Sequence, residues 1–416
     1  MKCFALTCAA VLLSVCQAHG QEELAKNNCK PAMKPCKPPV KGCDMPANPA
    51  SDRSGASGNS DASSACPVLF DRGEPISSSA YPAGYSLGAR IDTKDWDFFM
   101  SGAFTYWSAS QDGMDLAVSS SFTPGATPTF FNPADAVVLF QKFSYKPGFK
   151  LALGGGTDFD QWAYAAHYTW YRSRTTVSTD RPPTPPVGLG QTGDWAIQSW
   201  NPQAANTNAL SLNSSWKASI DLVDAQLSRP YYLGTNLILE PFFGGQAGWI
   251  RQSLRLSYVA IPADTVSNPV PRNPVVSHNN SHCWGIGPRI GLNTNWLMGA
   301  GFRFIGSGEA NLLYTSYRTV AQRVDAADSA DSNALSVKIS KLNVLRPNAG
   351  LNLGLGWGMY ADQNRWHFDL SATYDYYVFF SQNMMRYLAD LNASVTGASP
   401  SNLYLQGVTA TARFDF

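Results

Sequence analysis

Five histidines and eight cysteines are the first places to look for chemistry in this chain. His278, His282 and Cys283 form H-x3-H-C, a spacing that could begin a zinc site. The expectation is instead a loop with incidental histidines and one lone thiol, and neither a metal nor another cofactor. A membrane-embedded hydrolase would need a Ser/His pair with an orienting partner. His367 is the candidate for that pair, and a pore-lining histidine is the better reading of it. Gly154-Gly155-Gly156 has no following helix to complete a nucleotide loop. The sequence carries no phosphate loop, no CxxC pair and no nucleophile elbow. No residue is assigned a catalytic role, and the chain is expected not to be an enzyme.

Charge on alternating strands offers a different chemistry. Asp97, Arg251, Arg255, Arg289, Arg303, Glu309, Asp369, Asp375 and Arg413 each sit on the polar side of an apolar/polar alternation. Cationic and acidic side chains on opposing walls of a narrow lumen create a transverse field, which sorts ions as they pass. The competing role for each is a salt bridge that braces the wall, or a place at the rim.

The elements that would hold these side chains read as strands. From Arg365 to Asp375 the even positions are Trp366, Phe368, Leu370, Ala372 and Tyr374, and every odd one is polar. The same period of two places Trp96, Phe98, Met100, Phe104 and Tyr106 on one face. It also groups Trp162, Tyr164, Ala166, Tyr168 and Trp170. Leu254, Leu256 and Tyr258 alternate with Arg251, Ser253, Arg255 and Ser257, and Leu351 to Trp357 alternate with Asn and Gly. Several runs are longer than the five or six residues usual in soluble sheets. Aromatics gather near strand ends, as they do at membrane interfaces. Polar, Pro-rich stretches at 180–208, 262–280 and 325–333 read as long outer loops.

Composition agrees. The 416 residues are 15% charged, against about 25% in a typical soluble protein. Aromatics reach 12% and mean hydropathy is −0.18. The longest uncharged apolar run, Phe4 to Cys16, falls short of the about 20 residues a spanning helix needs. A net charge of +1 gives no reason to expect nucleic acid.

Residues 1–20 have the form of a secretory signal peptide: Lys2, an apolar stretch through Leu13, and small residues at Ala18 and Gly20. Cleavage is expected after Gly20. Lipidation at Cys16 is disfavoured because Val15 is too large for the usual small residue. Residues 21–80 form a Cys/Lys/Pro-rich arm and a Ser/Gly linker. Pro31, Pro35, Pro38 and Pro39 forbid a helix there, so the arm is expected to be extended polyproline-II or disordered. Cys29, Cys36, Cys43, Cys66 and Cys283 remain after cleavage, an odd count that leaves a thiol over. They are the candidates for cross-linking to neighbours, against internal bridging within the arm.

The chain ends on Val408, Ala410, Ala412, Phe414 and Phe416, alternating with Thr409, Thr411, Arg413 and Asp415. An amphipathic strand finishing on Phe is similar to the assembly signal of bacterial outer-membrane barrels, with Phe414 and Phe416 as its apolar end. Two internal blocks carry a closer resemblance. Ser228-Arg-Pro-Tyr-Tyr-Leu-Gly234 leads to Pro241-Phe-Phe-Gly244 and Trp249-Ile250. Trp284-Gly-Ile-Gly-Pro-Arg-Ile-Gly-Leu-Asn293 leads to Gly301-Phe302 and Asn311-Leu-Leu-Tyr314. Both resemble blocks of the Legionella-type major outer membrane proteins, a group that includes MOMP-like porins of environmental chlamydiae. Tyr145-Lys-Pro-Gly-Phe-Lys150 and Leu405–Phe416 match in kind. The resemblance spans about 96–416, leaves out the arm, and implies no catalytic residues.

The expectation is therefore an all-β, antiparallel transmembrane β-barrel of about 12 strands, with 10 to 16 open, over residues 81–416. Its expected role is passive diffusion of small hydrophilic solutes and ions, with a disulfide-linked structural role in the envelope beside it. The alternatives are a plugged structural or adhesive barrel and a soluble secreted carbohydrate-binding β protein. Expected partners are outer-membrane lipid, the barrel-assembly machinery, and further copies or disulfide-linked envelope proteins.

Overall fold

A computed structural model describes residues 97–122, 137–157, 160–180, 192–197, 208–261, 274–325, 335–393 and 397–416, with single positions 89, 91 and 200. The chain divides into two units, 1–66 and 67–416. All described residues belong to the second, so the expected signal peptide, the expected arm and Cys29, Cys36, Cys43 and Cys66 lie outside them.

The elements are β1 (Phe98–Gln111), β2 (Asp115–Phe122), β3 (Val138–Phe140), β4 (Tyr145–Gly156), β5 (Ala163–Thr179), β6 (Thr192–Ala196), β7 (Asn208–Ser228), β8 (Tyr231–Leu233), β9 (Leu237–Ile261), β10 (Val275–Gly299), β11 (Phe302–Asp325), β12 (Leu335–Ile339), β13 (Leu342–Ala361), β14 (Trp366–Asn383), α1 (Met384–Asn392) and β15 (Ser401–Asp415). Ten of the strands close into a ring: β1, β4, β5, β7, β9, β10, β11, β13, β14, β15 and back to β1, every pairing antiparallel. The barrel thus has ten strands, at the lower end of the expected range. The short β2, β3, β6, β8 and β12 lie beside the ring.

Closure pairs the first strand with the last. The Phe98 amide donates to the Phe416 carbonyl at 3.1 Å, and the Phe416 amide donates to Phe98 at 2.9 Å. A closed ring leaves no strand edge, which is the condition for a sheet to sit in hydrocarbon.

The connections segregate by length. Phe98, Phe416 and the turns at 157–162, 229–236, 300–301 and 362–365 share one end. The strand ends that flank 112–144, 180–207, 262–274, 326–341 and 384–400 share the other. The tightest turn needs a left-handed backbone: Gly301 has φ +80, and a Cβ there would meet the Gly358 carbonyl at 2.3 Å.

β9 and β10 have 25 residues each, more than twice the 9–11 that cross a bilayer. The extra length changes what each face carries. Toward the short-turn end, β9 turns Phe243 and Trp249 outward and exposed, and buries Gln246 inward. Toward the other end the same register turns Arg251 and Arg255 outward and buries Leu254, Leu256 and Tyr258 inward. β5 and β7 behave likewise. Tyr164 and Val223 face out at one end, whereas Tyr171, Trp216 and Ile220 are buried inside toward the other. One section is apolar outside and polar inside; in the other the outer face turns polar while the inside mixes an apolar core with buried neutral polar side chains such as Gln252, Ser277, Asn279 and Gln322.

The inward apolar side chains of the second section form the main core, including Trp107, Trp216, Leu254, Tyr317, Leu403 and Leu405. α1 closes this end. Asn383 caps it by accepting from the Arg386 amide at 3.1 Å, and Met384, Met385, Leu388 and Ala389 join the core. Arg386 ties the helix to Asp115 of β2 at 2.7 Å.

Candidate functional site

The barrel interior is the site, and in the apolar-sided section it is lined by charge. Lys150 on β4 reaches across the lumen to Asp375 on β14, donating at 3.0 Å, and to the Tyr377 hydroxyl at 3.1 Å. The Lys150 ammonium also lies 4.6 Å from the Trp107 ring centre. Thr409 donates to the same Asp375 carboxylate at 2.7 Å. Arg289 pairs with Glu309 and donates to Gln226 at 3.0 Å, linking β10, β11 and β7. Arg303 pairs with Asp369 and donates to Asn295 at 3.1 Å. Near the short-turn end, Asp415 accepts from Arg413 at 2.9 Å and faces Nδ1 of His367 at 3.0 Å.

A layer of amide side chains and one carboxyl group lies beside the Arg289–Glu309 pair. Gln246 donates to Asp224 at 2.7 Å, Asn348 donates to Gln246 at 2.9 Å, and Asn311 bonds Asn348. β9 and β13 are not neighbours in the ring, so the Gln246–Asn348 bond crosses the interior. A single charge left unpaired in such a space would be costly, and each of the pairs Lys150–Asp375, Arg289–Glu309 and Arg303–Asp369 carries added hydrogen bonds beside its partner.

The interior is tightly filled. Asp375 is 1% exposed and Asp369 is 3%. At the boundary of the two sections a cavity of about 20 Å³, lined by Leu222, Ile250, Cys283, Leu313, Phe379 and Gln382, has room for about one water.

Of the nine charges expected to line a pore, Arg289, Arg303, Glu309, Asp369, Asp375 and Arg413 point into the barrel. Asp97 precedes β1 at the short-turn lip, where its carbonyl accepts from the Gly156 amide at 3.0 Å. Arg251 and Arg255 correct the expectation: both are exposed on the outer face, because polar residues move to the outside beyond the Trp249 level. The H-x3-H-C spacing is split by the strand: His278 and His282 face outward while Cys283 is buried inward. Cys283, expected among the cross-linking thiols, is thus turned away from neighbouring chains. It is 7% exposed, and its sulfur accepts from Gln382 at 2.9 Å. His367, considered for a Ser/His pair, has the Asp415 carboxylate as its partner.

Lys150, Tyr377 and Asp224 are interior residues that the sequence reading did not single out. Lys150 was accessible to the same rule, since it alternates with Phe149, Leu151 and Leu153. Asp224 likewise alternates with Val223 and Ala225.

Phe414 and Phe416 form an aromatic cluster at the seam. Phe416 meets Phe98 edge-on at 5.5 Å and Phe414 at 5.8 Å, and Phe414 meets Trp366 at 5.0 Å.

A family model described as the Legionella pneumophila major outer membrane protein precursor matches residues 92–416. No curated protein matches the chain. Among solved structures, the outer membrane protease OmpT of Escherichia coli is similar over 77% of this chain and 97% of its own, at 10% identity and TM-score 0.40. A Pseudomonas aeruginosa FadL homologue covers 79% and 95%, at 7% identity and TM-score 0.25. The P. putida toluene transporter TodX covers 77% and 90%, at 9% identity and TM-score 0.24. At these scores the likenesses carry no argument of their own.

Proposed function

The chain belongs to the Legionella major outer membrane protein family and is a β-barrel of the bacterial outer membrane, and from that premise we propose that it is a narrow pore for small hydrophilic solutes and ions. In outer-membrane barrels the short turns are periplasmic and the long loops extracellular, so α1 and the apolar core lie at the outer mouth. The observation that carries the reading is the charged interior of the membrane section. Filling a permanently dry barrel with apolar side chains would be as stable or more so, and the outer end of the same chain does carry an apolar core, interspersed with neutral polar side chains rather than rows of ion pairs. Lys150–Asp375, Arg289–Glu309 and Arg303–Asp369 instead place both signs of charge along the lumen. Ten strands enclose little more than the eight-stranded barrels that side chains fill, so the pore would be narrow, gated at the outer mouth, and without covalent chemistry.

The filled outer end favours a second reading, a permanently closed structural barrel. Planar-bilayer recording of the mature, folded protein separates the two. Discrete conductance steps support the pore. Silence from bilayers shown to contain folded barrel would leave the structural reading.

A further inference from the structure

The outward face of β5, β7, β9 and β10 changes character within one step along the strands. Trp170, Asp221, Trp249 and Trp284 form one row across the four strands by pairing register. Three of the four are tryptophan, the residue that anchors barrels and helices at the membrane–water interface. The next outward rows, moving toward the long-loop end, are Arg172, Ser219, Arg251, His282; then Arg174, Lys217, Ser253, Asn280; then Thr176, Ser215, Arg255, His278. Five are Arg or Lys, and none is Asp or Glu. In a chain with net charge +1, such a block is a local choice rather than a consequence of composition.

Arg172 is held by Asp221 of the row below, at 2.8 Å. Arg174, Lys217, Arg251 and Arg255 are exposed and have no carboxylate partner among the described residues. With strands about 4.8 Å apart and alternate residues about 6.7 Å apart, the block measures roughly 15 by 13 Å. A shallow depression within it is lined by Arg172, Arg174, Lys217 and Ser219.

We propose that this block binds phosphate-bearing lipid headgroups of the outer leaflet. Depth supports a lipid over a soluble anion. The tryptophan row marks where hydrocarbon ends, and the cations begin one residue pair above it, at headgroup level. Interspersed serines, Thr176 and Asn280 supply neutral donors, and the arginines present forked donors suited to phosphate oxygens. Cations at a membrane surface attract anionic lipid additively.

Native mass spectrometry of the folded full-length mature chain in detergent tests this with bis-phosphorylated lipid A and its dephosphorylated form as probes. The wild type should retain the phosphorylated lipid. R251S/R255S should lower that retention by about tenfold or more, whereas K142S/K341S, which removes the same charge from exposed sites outside the block, should change it less than about twofold. Each variant's fold is checked by its heat-dependent gel mobility. As a second variant, K217S keeps both arginines and should show an intermediate loss. Equal retention of the phosphorylated and dephosphorylated lipids would overturn the proposal. So would equal losses in R251S/R255S and K142S/K341S, or no loss in either.

Discussion

Trp249 and Arg251 project from the same face of β9, two residues apart, and between them the outer wall changes from apolar to cationic. The same step separates Trp170 from Arg172 on β5 and Trp284 from His282 on β10. In an outer-membrane barrel this is the level at which the strands leave hydrocarbon, and it explains why side-chain polarity inverts while the register runs on unchanged.

Arginine should therefore be tolerated above that level and not below it. Leu370 faces outward near the middle of the apolar band, with Trp366 on one side and Tyr374 and Tyr376 on the other. Leu370→Arg should cost roughly 2–4 kcal/mol. Ser253→Arg, on the outward face one pair beyond Arg251, should cost less than about 0.5 kcal/mol. Urea unfolding of the two variants in lipid vesicles gives both numbers, and equal costs would misplace the boundary.

This inversion also marks where the sequence was legible. Period-two alternation at 365–375 gave the correct faces because β14 stays within the apolar band over those residues. The same rule misassigned Arg251 and Arg255, because it took the polar side as inward everywhere. Alternation reports which residues share a face. It does not report which face is wet, and a strand long enough to leave the membrane carries both answers. α1 was passed over for a related reason. Its apolar residues Met384, Met385, Leu388 and Ala389 follow β14 with no intervening loop, because the Asn383 that ends the strand is also the cap of the helix. About 12 strands were expected and ten close the ring; five further short strands pair beside it without joining it.

Arg303 and Asp369 test whether lumen charge governs passage. Arg303→Glu sets two carboxylates together in a largely buried position and should destabilise the fold by roughly 3–5 kcal/mol. The swap Arg303→Glu/Asp369→Arg should recover most of that loss by restoring a pair with its ends exchanged. In bilayers Arg303→Glu should shift the reversal potential toward cation preference. An unchanged potential in a conducting variant would remove this pair from the selectivity determinants.

The outer closure makes a separate prediction. Leu388 is 1% exposed within the apolar core beneath α1. Leu388→Asp should loosen the helix and raise open probability several-fold, leaving the membrane-section ion pairs intact. Wild-type open probability in a variant that still folds would show that α1 does not gate the lumen.

Cys283 should behave unlike the arm cysteines. With Cys29, Cys36, Cys43 and Cys66 replaced by Ser, the remaining thiol lies inside the wall against Gln382. Water-soluble thiol reagents should leave it unlabelled until the barrel is unfolded, and the protein should run as a monomer without reductant. Rapid labelling of the folded variant, or disulfide-linked dimers of it, would contradict the inward placement. Restoring the arm cysteines tests the proposed envelope cross-links, which should reappear as higher bands that reductant removes.

Phe416 closes the argument at the seam. Its backbone makes both hydrogen bonds to Phe98 that end the β1–β15 pairing, and its ring packs on Phe98 and Phe414. Deleting it removes the terminal pair of bonds and two aromatic contacts, each worth about 0.5–1.5 kcal/mol beyond area burial. That loss falls on the last strand, which must pair with the first before the ring has no free edge. Folded protein in the outer membrane should drop several-fold when Phe416 is deleted. Phe416→Trp keeps an apolar aromatic ring and both backbone bonds, and should retain most of the wild-type level. If the deletion inserts as well as the wild type, the terminal aromatic is dispensable for assembly. If Phe416→Trp fails as badly as the deletion, recognition of phenylalanine itself, rather than closure of the seam, sets the yield.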